Sequence, residues 1–298
     1  SITTLSGAGG VNIAGKTLTI TNGSTTYSGV MSGSTGNLTI SGGTQILSGA
    51  NTYSGGTTVN AGTLVVSGSG TLGAISNSLT MANAAILDIR NALTVGSLSM
   101  SGTSTIASTT GTSSLSVSGT STLANSITTT GSQTYTGAVT LGADLTLTTS
   151  NGAVSFSSTL DNSTATARAL TISTGSGDVT FTGAIGGDAT NGAIGAIDVS
   201  STGITAFGST VKAASVTTNT GGTTTLAGNV TTTGTQTYND AVTLLGTSIT
   251  LSSSGGADAT NQAITFSSTL NGSTSDGSKA LTINAGSGIV TFTGAVGN

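Results

Sequence analysis

The sequence lacks cysteine, histidine, tryptophan and proline, and only 5% of its 298 residues are charged. The absence of cysteine excludes disulfides. General acid–base catalysis needs a group whose pKa lies near neutrality, usually histidine, a tuned carboxylate or lysine. Histidine is missing and all nine acidic residues are aspartates. The sequence therefore offers few groups for acid–base chemistry.

The charge balance excludes two classes of partner. The net charge of −4 supplies no basic stripe for nucleic acid and no attraction to an anionic membrane surface. No uninterrupted apolar run exceeds four residues, against roughly 20 for a membrane-spanning helix, so we expect no transmembrane segment. A hydrophobic fraction of 35% and a mean hydropathy of +0.28 argue against disorder.

Short segments of alternating polar and apolar residues occur throughout the chain. Examples are Thr17–Ile20, Asn37–Ile40, Ser78–Met81 and Ala169–Ile172, each bounded by glycine, asparagine or serine nearby. A period of two with many β-branched residues predicts strands, and no stretch has a helical period. We therefore predict an all-β fold of roughly thirty short strands.

Long-range repetition favours a solenoid over a sandwich or barrel. Three segments recur: TTTGSQTYTGAVTL at 128–141 and TTTGTQTYNDAVTL at 231–244, VSFSSTLDNST at 154–164 and ITFSSTLNGST at 264–274, ALTISTGSGDVTFTGAIG at 169–186 and ALTINAGSGIVTFTGAVG at 280–297. The offset grows from 103 residues at Tyr135 to 111 at Phe181, mostly through an insertion around 255–262. A stacked fold tolerates such an insertion because it bulges from a single coil.

The repeat length predicts about five coils of roughly 20 residues in each copy, stacked about 4.8 Å apart. The whole chain then makes roughly 14 coils of a parallel β-solenoid. We expect residues 1–124, 125–228 and 229–298 to form three segments of one continuous solenoid. Neither end shows a capping helix or a charged closing strand, so both ends are expected to be uncapped.

The stretch SGANTYSGGTTVNAGTLVVSGSGTLG at 48–73 closely resembles the autotransporter-associated β-strand repeat of secreted passenger domains in Gram-negative bacteria. Residues 15–49 are similar to the same family, and the copies after residue 125 resemble repeats of filamentous-haemagglutinin-like adhesins. The resemblance implies a right-handed parallel β-helix that is exported by a type V route and located at the cell surface or outside the cell. It implies no particular receptor.

The aspartates do not form a conserved pattern between the copies. Asp161 corresponds to Asn271, Asp178 to Ile289 and Asp240 to Gly137, which favours solvated or structural roles over a catalytic pair. Asp178 and Asp198 are one predicted coil apart and are the aspartates that could stack as a glycosidase pair. Asp-Ala-Thr-Asn at 188–191 and 258–261 is interpreted as a turn and not as a calcium loop, since calcium takes six to eight oxygen ligands. We predict no catalytic residue, metal or cofactor.

The aromatic residues recur where the aspartates do not. A Thr-Tyr pair is found four times, and phenylalanine returns at matched positions of the two copies. Recurrence favours packing, with the tyrosine hydroxyl reaching a polar partner, over an exposed sugar-stacking surface. The predicted structural positions are Tyr27, Tyr53, Tyr135, Tyr238, Phe156, Phe266, Phe181 and Phe292.

Three functions remain open. The first is a non-enzymatic shaft of a secreted adhesin or extracellular fibre, which continues into further repeats and reaches a glycan or protein receptor. The second is a filament subunit that associates head-to-tail. The third and weakest is a glycan-binding or glycan-active β-helix.

Overall fold

A computed structural model describes residues 1–253, 262–274 and 278–297. These residues form 33 strands and no helix. The strands pair in parallel with strands further along the chain, so the fold is a β-solenoid of about 12 turns. The chain divides into two compact units, Ser1–Gly137 and Ala138–Asn298, called unit 1 and unit 2 below. The predicted fold class is confirmed.

Unit 1 contains the first sixteen strands. They are β1 (Val11–Asn12), β2 (Thr17–Ile20), β3 (Thr26–Tyr27), β4 (Met31–Ser32), β5 (Asn37–Ile40), β6 (Thr44–Leu47), β7 (Thr57–Val59), β8 (Thr63–Val66), β9 (Ser78–Met81), β10 (Ile86–Ile89), β11 (Ala92–Val95), β12 (Ser97–Met100), β13 (Thr105–Ala107), β14 (Ser114–Val117), β15 (Ser121–Thr128) and β16 (Gln133–Tyr135).

Unit 2 contains the other seventeen. They are β17 (Val139–Thr148), β18 (Val154–Phe156), β19 (Leu160–Asn162), β20 (Leu170–Gly175), β21 (Val179–Phe181), β22 (Ile194–Ser201), β23 (Ile204–Phe207), β24 (Val211–Thr218), β25 (Thr223–Leu226), β26 (Val230–Thr232), β27 (Gln236–Tyr238), β28 (Ala241–Leu244), β29 (Ser248–Ser252), β30 (Ile264–Phe266), β31 (Leu270–Gly272), β32 (Ala280–Asn284) and β33 (Val290–Phe292).

The alternation of the sequence fixes which side chains enter the core. In β5, Leu38 and Ile40 are fully buried while Thr39 faces outward, because successive side chains of a strand point to opposite faces. In-register pairing then places inward-facing residues over inward-facing residues, and outward-facing over outward-facing, from one coil to the next. One outward column of unit 1 carries a hydroxyl in six successive coils: Thr19, Thr39, Thr58, Thr80, Ser99 and Thr122.

The number of coils is lower than the roughly 14 that the repeat length predicts, and that expectation was wrong. Some coils of unit 2 are longer than 20 residues, since 25 residues separate the paired positions Phe156 and Phe181 and 26 separate Phe181 and Phe207. Longer turns at the corners account for the difference. The extra residues of the second copy, 254–261, lie outside the described residues.

The repeat is also not a whole number of coils. Phe156 pairs in register through Phe181 and Phe207 to Leu226 and then Leu244, which is four coils along one face. The residue equivalent to Phe156 in the second copy, Phe266, belongs to another face, where β30 pairs with β27 and β33. The two copies are therefore not related by a whole number of coils, and the equivalent residues Phe156 and Phe266 lie on different faces of unit 2.

Candidate functional site

The aromatic positions singled out by the sequence form columns in the core. Phe156, Phe181 and Phe207 stack with ring centroids 5.1 and 5.3 Å apart and nearly parallel planes. In the second copy, Phe266 stacks between Tyr238 and Phe292 at 5.3 and 5.1 Å. Seven of the eight predicted positions are buried, and the eighth, Phe292, is 43% exposed.

Each tyrosine hydroxyl has a partner inside the fold. Tyr27 donates to the carbonyl oxygen of Gly9 at 2.8 Å, and the Tyr53 hydroxyl lies 2.6 Å from Oγ1 of Thr57. Burial raises the pKa of both phenols. The hydroxyls therefore remain protonated and are bonded inside the fold. All four tyrosine side chains are buried, so none of their rings is free for stacking on a sugar.

Each of the other two tyrosines lies in a buried hydrogen-bond network of the same kind. Tyr238 donates to Oε1 of Gln236 at 3.1 Å, and Nε2 of Gln236 donates to Oγ1 of Thr232 and to the carbonyl of Val230 at 3.2 and 3.3 Å. The first copy repeats this arrangement with Tyr135, Gln133 and Thr129. Buried polar groups are normally paired in this way, so the network belongs to the repeated scaffold.

The aspartates are dispersed. Asp198 is exposed and pairs in register with Thr171 and Thr217, while Asp178 accepts the Ile204 N–H at 2.8 Å. Asp178 and Asp198 therefore do not stack as a pair. In the described part of the chain, no three acidic residues converge on a common point that could hold a metal ion.

The first Asp-Ala-Thr-Asn segment is a turn. Oδ1 of Asp188 accepts the backbone N–H of Thr190 at 2.7 Å, and Nδ2 of Asn191 donates to Oδ2 of Asp188 at 3.2 Å. The hydrogen bonds from Thr190, together with those from Asn191, outweigh desolvation and lower the pKa of Asp188. The carboxylate is thus occupied by its own turn. The second such segment, at 258–261, lies outside the described residues.

Asp88, near the end of β10, and Arg90, directly after it, form an ion pair. The Arg90 side chain donates to Oδ2 of Asp88 through Nε at 2.9 Å and Nη2 at 2.8 Å, and Thr109 donates to the same carboxylate through its hydroxyl and its N–H. Burial acts to raise the pKa of Asp88, but these bonds and the Arg90 charge outweigh it and the pKa is lowered. Sequence reasoning did not find this pair, although the spacing of two residues places both at the end of the same strand.

Asp240 is a buried carboxyl of a different kind, with 2% exposure. Its Oδ1 accepts the Gly222 N–H at 2.8 Å, whereas Oδ2 is buried without a partner. Burial raises its pKa, although the hydrogen bonds from Gly222 and Thr224 act in the opposite direction.

The Asp240→Asn variant should therefore be more stable than the wild type at pH 7, by about 1 kcal/mol. Because folding raises the pKa of Asp240, the folded state favours the protonated carboxyl. This contribution to the free energy of unfolding is fully present below the ordinary pKa of the group and is lost as pH rises through the pKa of the folded state. At pH 7 the native protein bears the cost of a buried carboxylate, which asparagine lacks. Urea unfolding midpoints at pH 7 and pH 4 should show the gain at pH 7 and a smaller gain at pH 4.

The matched control is Asp88→Asn, for which the opposite sign is expected. A lowered pKa stabilises the folded state above the ordinary value, and the contribution is lost as pH falls, so this variant should be destabilised at pH 7. A gain for Asp240→Asn that is larger at pH 4 than at pH 7 would contradict the assignment.

Comparison with known families identifies one segment of unit 1. A family model named passenger-associated-transport-repeat matches residues 40–66. This segment is therefore similar to a passenger-associated-transport-repeat. The matched segment begins at the last residue of β5 and ends at the last residue of β8, slightly more than one coil. No curated protein and no solved structure matches the chain.

The transport repeat and the β-solenoid together fit an autotransporter passenger repeat protein, as the resemblance implies. Within the matched segment, Tyr53 contacts Thr57, and Gln45 is buried with its Nε2 donating to the Thr25 carbonyl at 2.9 Å. The repeat thus contributes core packing and hydrogen bonds between coils. Together these findings support a structural domain that is similar to autotransporter passengers, a class that is secreted or displayed at the cell surface. The described residues include no helix long and apolar enough to cross a membrane.

Proposed function

We propose that this passenger-type domain is a non-enzymatic shaft of an adhesin or fibre at the surface of a Gram-negative bacterium. The observation that carries the proposal is the recurrence of the core in both copies while the acidic positions change. Tyr135, Gln133 and Thr129 return as Tyr238, Gln236 and Thr232 with the same hydrogen bonds. What is maintained is therefore the buried packing and hydrogen bonding inside the coil.

The surface supports the same proposal. Outward columns are mostly threonine and serine, whose hydroxyls are hydrated without charge, and the described aspartates do not converge. A role as a spacer needs a stiff, soluble stack and no reactive group. Parallel in-register pairing between the coils within each unit provides that stiffness.

A second candidate is head-to-tail assembly. Apolar side chains are exposed on and beside β33: Ile289 at 73%, Val290 at 38%, Phe292 at 43% and Val296 at 56%. A further coil stacked on β33, from a continuation of the chain or from a second copy, would cover these residues and continue the Tyr238–Phe266–Phe292 column.

Sedimentation velocity of the purified chain, together with negative-stain imaging, tests both candidates. A shaft should sediment as an elongated monomer at all concentrations, with a frictional ratio well above that of a compact sphere. A compact particle would contradict the shaft proposal. Oligomers that grow with concentration and disappear in Phe292→Asp, but persist in the exposed control Ile75→Asp, would favour head-to-tail assembly.

A further inference from the structure

A groove of about 490 Å³ lies at one corner of unit 1, next to the Asp88–Arg90 ion pair. Its walls include Arg90, Asn91 and Ala92 from one coil and Ser114 from the next, which pairs in register with Ala92. Gly68 and Gly131 lie at its two ends and leave no side chain to fill it. The groove therefore crosses four successive coils, a length of about 14 Å at the normal interstrand spacing.

The guanidinium in this groove is held in a fixed orientation. Arg90 uses Nε and Nη2 to bind Oδ2 of Asp88, and Thr109 holds the same carboxylate with its hydroxyl at 2.6 Å. Asp88 is 3% exposed, whereas the Arg90 side chain is 34% exposed. Arg90 therefore presents its remaining N–H groups as pre-oriented donors at the groove, which lowers the entropic cost of binding a ligand.

The amide of Asn91 beside it is also fixed. Its Nδ2 donates to the carbonyls of Gly68 and Gly70 at 3.0 and 2.9 Å, while its Oδ1 is buried, so the acceptors of the lining are the hydroxyls of Thr112 and Ser114. Ala92 adds a methyl group to the lining. The wall thus combines donors, acceptors and a small apolar surface.

The charges around the groove favour a neutral ligand over an anionic one. The positive charge of Arg90 is balanced by Asp88 at 2.8 Å, and the whole chain carries a net charge of −4, so an anionic ligand gains no net attraction. A ligand that is rich in hydroxyls and uncharged matches the mixed donors and acceptors. We propose that this corner groove binds a short, neutral oligosaccharide.

Isothermal titration of the complete chain with cellotriose, maltotriose, mannotriose and chitotriose tests the proposal, with trigalacturonate as the anionic comparison. At least one neutral trisaccharide should bind, and Ala92→Trp should weaken that binding at least tenfold by filling the groove. Thr94→Trp is the matched control, since Thr94 is the next outward residue of β11 and does not line the groove. It should change the affinity less than twofold.

Arg90→Ala gives an independent readout, with an expected loss of at least tenfold in a protein whose thermal unfolding shows that it is still folded. Three results would overturn the proposal: no binding of any neutral trisaccharide at millimolar concentration, binding of trigalacturonate alone, or equal affinity in the wild type and Ala92→Trp. None of them bears on the shaft function, which sedimentation tests separately.

Discussion

Phe181→Ala should destabilise unit 2 by about 3–5 kcal/mol. Phe181 is 1% exposed and its ring lies between those of Phe156 and Phe207, with interplanar angles of 2° and 4°. Truncation removes both ring contacts and leaves a cavity between two rings that the neighbouring coils hold in place. Urea unfolding followed by circular dichroism measures the loss.

The repeat supplies the control for this prediction. Phe292 is the sequence equivalent of Phe181, yet it stacks on Phe266 alone and is 43% exposed. Phe292→Ala should therefore cost about 1 kcal/mol or less, because the truncated ring leaves its space to solvent. If Phe181→Ala and Phe292→Ala lowered the free energy of unfolding by similar amounts, ring stacking would contribute little beyond the burial of apolar surface at either position.

The alternation of the sequence was sufficient to predict the core of the β-solenoid. Leu38, Ile40, Leu170 and Ile172 occupy apolar positions of short period-two segments and are all fully buried. In a parallel stack the apolar residues of each strand face the core in successive coils, so the period-two pattern of a single strand also predicts the packing of the whole core. The recurring Thr-Tyr pairs likewise pointed to buried rings with bonded hydroxyls.

The relation between the two copies could not be predicted in the same way. Coil closure depends on the length of each corner turn, and turn residues carry no periodic signal. As a result Phe156 and Phe266 have similar surroundings in sequence but lie on different faces of unit 2. A surface feature shared by the copies is therefore displayed in different directions.

Buried polar residues were also missed. Gln133 and Gln236 are fully buried, because each bonds a tyrosine hydroxyl and backbone carbonyls inside the coil. Their recurrence in the two TGSQTY and TGTQTY segments is the signal that could have found them. Phe207 lies outside the three segments that recur, so repetition could not identify it, although it completes a phenylalanine column.

Gly49→Ala should destabilise unit 1 by about 3 kcal/mol, at the upper end of the range for overpacking. A Cβ at Gly49 would lie 2.0 Å from the carbonyl oxygen of Gly29 in the preceding coil, and one at Gly29 would lie 2.1 Å from that of Gly9. These neighbours are backbone atoms, so no side chain can move aside. The added methyl must separate coils that are joined by the hydrogen bond from Ser48 N–H to the Tyr27 carbonyl at 3.0 Å.

Gly10→Ala is the matched control in the same unit. A Cβ at Gly10 would approach no atom closer than the Val30 carbonyl oxygen at 3.7 Å, which is an ordinary contact, so its unfolding midpoint should stay close to that of the wild type. The comparison separates two reasons for glycine at these positions, which are close contact between coils and backbone flexibility. If flexibility were the reason, the two substitutions would change the unfolding midpoint by similar amounts. If Gly49→Ala is as well tolerated as Gly10→Ala, close contact between coils is not what requires glycine at this corner. A large difference would mean that the corner glycines of unit 1 set how closely its coils stack, a requirement that strand alternation does not reveal.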